Sequence, residues 1–234
     1  MTGRADATPR RPARWTRGLD VHGRQKPTWR GWIHAVTVPI AIAAGIVLIC
    51  LAATPATKVG AAVFMGTSIL LFGISATYHL GDWNPRVTAL FRRIDHSNIF
   101  LLIAGTYTPL ALAALEWPKN VILLSLIWGL TLCGIVFRIF WLSAPRWLYV
   151  PLYILLGWGA VVYIVDLFQF NVAMMVLVLV GGVVYTAGAI VYALKRPNPV
   201  PAVFGFHEIF HSATVIAFLC HWTAVLIAVL SPRL

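Results

Sequence analysis

Two histidines stand four residues apart in His207-Glu208-Ile209-Phe210-His211, at the start of the last apolar run of the chain. On a helix this spacing puts both imidazoles on one face, about one turn from each other. Two imidazoles so placed suit one metal ion, and zinc is the usual guest of such a site. The same string is literally the H-E-x-x-H of zinc proteases, in which Glu208 would be the base. Upstream, Ser75 and His79 repeat the four-residue spacing, and Asp95 follows them. Three histidines and an acid on converging helices would make a catalytic type of zinc site. Three protein ligands leave the fourth tetrahedral position to water, and zinc both acidifies that water and polarises a carbonyl. Asp95 could hold the water or take its proton, and Ser75 could donate to a ligand or to a developing oxyanion.

The elements that must position these groups are membrane spans. The chain of 234 residues is 60% hydrophobic and 11% charged, with mean hydropathy +0.84. Soluble domains are about one-quarter charged, so an all-α, multi-pass protein of the plasma membrane is expected. Seven apolar segments fall at about 32–53, 61–80, 95–115, 120–141, 147–165, 172–194 and 204–230. Each approaches the roughly 20 residues that a spanning helix needs. Turn formers separate them, among them Thr54-Pro55, Asn84-Pro85 and the Pro197, Pro199, Pro201 series. Pro109 falls inside the third segment and should kink it. Cys50, Cys133 and Cys220 lie in apolar stretches with no C-x-x-C and read as small buried hydrophobes.

Net charge is +11, but its distribution excludes a nucleic-acid partner. Eight of the 18 Lys/Arg precede residue 31, ahead of the first span. Residues 1–30 contain three prolines and no apolar periodicity, which predicts a disordered basic tail lying on anionic lipid; residues 31–234 form the seven-helix domain. With the N-terminus in the cytosol, 15 Lys/Arg fall inside and three (Lys58, Lys119, Arg233) outside. The positive-inside rule therefore puts the C-terminus outside. This topology carries Ser75 and His79 to the cytosolic third of the second span, Asp95 to the first turn of the third, and His207 and His211 to the first two turns of the seventh. All five reach one depth. Intramembrane ionisable groups are costly and mark function.

At these residues the chain resembles a known family. Ser75-Ala76-Thr77-Tyr78-His79 fits an S-x-x-x-H motif. Arg93-Ile94-Asp95-His96-Ser97-Asn98-Ile99-Phe100, continuing to Ala104-Gly105-Thr106-Tyr107-Thr108-Pro109, looks like a third-span motif, and His207-x-x-x-His211 completes the set. Together with Gly31-Trp32-Ile33-His34 they resemble the hemolysin III family, the bacterial branch of the progestin and adipoQ receptor (PAQR) superfamily. The resemblance covers about residues 26–230. It implies zinc held by His79, His207 and His211, with Asp95 associated with the zinc-bound water and Ser75 as the motif serine. Eukaryotic relatives and the wider superfamily of alkaline ceramidases imply hydrolysis of a lipid amide, with membrane lipid as substrate or ligand; the hemolysin name implies cytolysis. Many bacterial relatives have paired acids before the first span, where this chain has Lys26-Pro27-Thr28-Trp29-Arg30.

The expectation is thus a zinc-dependent hydrolase of a lipid amide or ester. Its rivals are a non-enzymatic lipid sensor or membrane-homeostasis protein with structural zinc, and a pore-forming cytolysin. A site-2 protease would need a distant acidic ligand in an Asp-Gly context, which is not visible in the sequence, so Glu208 reads as a polar neighbour near the cytosolic surface. His96 is about 100° around the helix from Asp95 and reads as interfacial. His34 enters the first span near the same depth and reads as structural. His221 lies about 15 Å beyond His211 along the helix, too far for the same ion, and reads as an interhelical hydrogen-bonding residue. Asp166 reads as a solvated cap, and Tyr78 and Tyr107 as aromatic packing.

Overall fold

The computed structural model describes residues 27–230. Residues 1–26, which hold most of the expected basic tail and its contact with anionic lipid, lie outside the described residues. The elements among the described residues are helices: α1 (Trp32–Leu51), α2 (Pro55–Leu80), α3 (Pro85–Ala114), α4 (Lys119–Phe140), α5 (Arg146–Gly157), α6 (Ile164–Phe170), α7 (Val172–Leu194) and α8 (Phe206–Leu230). A 3-10 turn (Gly159–Tyr163) joins α5 to α6, and the three together make one span, Arg146–Phe170. Seven helical units are therefore long and apolar enough to cross a bilayer. Large apolar side chains such as Val36, Ile40, Ile122, Leu126 and Leu155 face outward, as lipid contact requires. The fold is that of a multi-pass membrane protein, consistent with the cell membrane.

Local sequence fixes the helix ends. Thr54 and Thr57 exchange side-chain and backbone hydrogen bonds in a capping box ahead of Pro55. Asn84 accepts from the Val87 N–H at 3.0 Å and Pro85 opens α3. Asn171 accepts from the Met174 N–H at 2.9 Å and starts α7. The Asn84 cap corrects one sequence expectation: α3 begins ten residues before Asp95, so Asp95 is in its third turn, not its first. Arg86, Arg92, Arg93 and Asp95 dilute the hydropathy of these turns and hide them from an apolar-run reading.

The third span is the centre of the bundle. Of its most apolar stretch 72% is buried, against 22% in α4 and in α7. Small residues let neighbours approach it: Gly60 of α2 lies against Pro109, Gly105 of α3 against Thr67, and Gly134 of α4 against the Phe100 ring. Asn98 donates to the Leu70 carbonyl at 3.0 Å and ties α3 to α2. α8 packs on α7, α1, α3 and α2, so the last span sits beside the first. The cysteines do not join this core. All three are free, with Cys50 and Cys133 exposed on the outer face and Cys220 half-buried. Lipid-facing and core positions are equally apolar in a membrane protein, so the expected burial did not follow from their neighbours.

Candidate metal centre

Strict alternation of the spans brings the start of α1, the end of α2, the start of α3 and the start of α8 to one end of the bundle. There the structure brings His79, His207 and His211 together. His79 Nε2 and His207 Nε2 are 3.3 Å apart. One nitrogen from each of the three lies within 4.8 Å of the other two. Their ring centroids are separated by 4.9 Å (His79–His207), 5.2 Å (His79–His211) and 4.5 Å (His207–His211). Two nitrogens bound to tetrahedral zinc at about 2.0–2.1 Å stand roughly 3.3 Å apart. The donor set and its spacing therefore fit a metal ion held by three imidazoles. His211 is 2% exposed, and its Nδ1 has no protein hydrogen-bond partner.

Asp95 and Ser75 line the cavity that opens beside this cluster, together with His207 and His211. Ser75 is buried. The cavity has a volume of about 150 Å³, and its walls are mostly apolar, with Leu71, Leu102, Ile103 and Val178 among them. A three-histidine cluster, with His211 buried and His79 and His207 half-buried, thus opens, beside one carboxylate, into an apolar chamber.

Residues weighed in the sequence find definite places. His34 is part of the cluster's wall: its ring stacks on His211 with centroids 3.9 Å apart and planes 4° from parallel. It is 3% exposed and neither ring nitrogen has a protein partner. Its depth at the start of the first span was legible; the direction of its ring was not. His96 accepts a close hydrogen bond from the fully buried Arg138 of α4, whose guanidinium also lies 4.3 Å over the Tyr149 ring. The interfacial reading of His96 fits this contact. His221 packs against Tyr185, but its Nδ1 has no hydrogen bond to the protein. The Tyr107 hydroxyl donates to the Gly157 carbonyl at 2.6 Å and accepts from the Ala160 N–H at 2.9 Å, pinning the break in the fifth span. Asp166 pairs with Lys119 at 2.5 Å between two partly exposed side chains.

Glu208 is neither a free base nor a polar residue near the surface. It is fully buried, and both oxygens are engaged: Oε1 accepts from Arg30 Nε at 2.9 Å and Oε2 from the Gly205 N–H at 2.8 Å. The first bond fastens the segment before α1 to the start of α8. Backbone bonds from the Thr28 and Trp29 N–H groups to Ala202 and Val203 strengthen the same seam. No sequence signal pointed to Arg30, because it stands in a run of basic residues that reads as one tail.

The Haemolysin-III related family model matches residues 22–222. The chain belongs to the haemolysin III family. Hemolysin-3 of Bacillus cereus is 36% identical over 171 residues, covering 70% of this chain and 76% of that protein. The Hemolysin-3 homolog of Bacillus subtilis (strain 168) is 33% identical over 182 residues, covering 76% and 83%. For this haemolysin III chain the matched region contains all three clustered histidines, Ser75 and Asp95.

Proposed function

We propose that this protein is a zinc-dependent hydrolase of a lipid amide or ester, working from the cytosolic leaflet. The observation that carries the reading is the convergence of three imidazole nitrogens at the mouth of an apolar cavity that Asp95 and Ser75 also line. His79, His207 and His211 would hold the ion. When bound, zinc supplies Lewis acidity toward a carbonyl and toward water. The Asp95 carboxylate takes the proton from attacking water and returns it to the leaving amine or alcohol. Ser75 donates to that carboxylate and keeps it aimed at the cavity. The apolar walls exclude bulk water and accept the lipid chain. The cytosolic placement rests on the 15-to-3 division of Lys/Arg, and the resemblance to the PAQR and alkaline ceramidase proteins supports the choice of an amide.

The test is zinc content and lipid turnover measured on the same detergent-purified samples. Wild type should carry one zinc per chain and release fatty acid from a lipid amide or ester. Asp95→Ala should keep its zinc and lose turnover by about 10²-fold or more. Turnover unchanged in Asp95→Ala would sink the assigned role. Zinc that is needed for folding while no lipid is consumed would favour a non-enzymatic sensor with structural metal. The relatives' name, Hemolysin-3, favours cytolysis, but the mostly apolar cavity lining gives little support to a water-filled pore within one chain.

A further inference from the structure

The cavity beside the histidine cluster has a second polar station, built around His221. His221 is on α8, ten residues beyond His211 and about 15 Å farther along its axis. It is 8% exposed, and its Nδ1 has no hydrogen-bond partner in the protein. A buried nitrogen left in that state is costly and calls for a partner. The ring stacks on Tyr185 of α7, with centroids 5.6 Å apart and planes 25° from parallel. It fits there because residue 181 is glycine: a Cβ at Gly181 would lie 2.6 Å from His221 Nε2. Tyr185 lines the same cavity. The nearby Thr186 hydroxyl is occupied by the Trp158 indole N–H at 3.0 Å. Among the described residues that line the cavity, Asp95 is the one carboxylate, and none is Lys or Arg. The chamber therefore offers no countercharge to an ionic group at His221. A hydroxyl, which donates and accepts at once, matches an imidazole nitrogen beside a phenol.

We propose that His221 and Tyr185 form a subsite for a neutral hydroxyl carried part-way along a lipid chain whose polar head lies at the histidine cluster. This rests on the lipid reading of the cavity and adds a chain specificity to it: a hydroxylated acyl chain is preferred over a plain one. Cavity position, an unpartnered buried nitrogen and a glycine that makes room for the ring all point to the same place.

The test is titration of the full chain, in detergent, with two fatty acids of equal length, one with a mid-chain hydroxyl and one without. Wild type should bind the hydroxylated chain about tenfold more tightly, the worth of one well-made buried hydrogen bond. Tyr185→Phe keeps the stacked ring and removes only the phenol oxygen; His221→Leu removes the imidazole. Each should bring the two affinities to within about twofold of each other. Equal binding by wild type, or a preference that survives both variants, overturns the subsite, with His221 Nδ1 then satisfied by an ordered water only, and leaves the lipid reading intact. Failure of both chains to bind wild type overturns the lipid reading and the subsite together.

Discussion

Arg30 and Glu208 should respond unequally to removal, and the inequality follows from their burial. Their side chains are 23% and 1% exposed. Arg30→Ala leaves a carboxylate sealed from water with one backbone donor, the Gly205 N–H. Stripping one partner from a buried pair costs about 3–5 kcal/mol. Glu208→Ala strands the partner that already reaches solvent, so the guanidinium turns to water. What is lost is the Gly205 bond and a partly screened attraction, about 1–2 kcal/mol in all. With Glu208 already gone, removing Arg30 should add about 0–1 kcal/mol. The double variant should therefore be more stable than Arg30→Ala alone, with a coupling of about 2–5 kcal/mol. Unfolding of detergent-purified protein, followed by tryptophan fluorescence across the four-member cycle, measures it. Equal single costs that add to within about 0.5 kcal/mol would refute the reasoning.

Two further perturbations test the frame around the site. Removing the Lys119–Asp166 pair by Asp166→Asn should change stability by less than about 1 kcal/mol despite its short distance, because the side chains are 48% and 23% exposed; the same unfolding assay reads it. Tyr107→Phe removes the acceptor of the buried Ala160 N–H and the donor to Gly157. It should cost about 1–3 kcal/mol and speed hydrogen exchange at residues 158–163, with α8 unaffected.

Much of this molecule is legible in one dimension, along the membrane normal. Apolar runs of about 20 residues mark seven spans, and their alternation sends His79, His207 and His211 to the same end whichever side of the membrane that end meets. Depth says nothing about direction around each helix. His34 and His96 stand at comparable depth, yet one stacks on His211 and the other turns to Arg138. Packing decides this, through contacts such as Gly134 on Phe100 that no single span encodes. Cys50 and Cys133 show the same blindness, since an apolar neighbourhood fits the lipid face as well as the core. The break in the fifth span is held by Tyr107, about fifty residues away. Arg30 and Glu208 are 178 residues apart, and only the docking of α8 beside α1 makes them a pair.

The candidate nitrogen donors are divided unevenly along the chain, one on α2 and two on α8. A nascent polypeptide therefore holds a single donor through the synthesis of its first six spans. Both others emerge within five residues of each other, and they meet His79 only when the final helix docks. On the proposed zinc reading, metal capture would be the closing event of biogenesis, and a ribosome-stalled chain ending before residue 207 would be inserted in the membrane yet have no competent site. Retained zinc would then report that the last helix has reached its place.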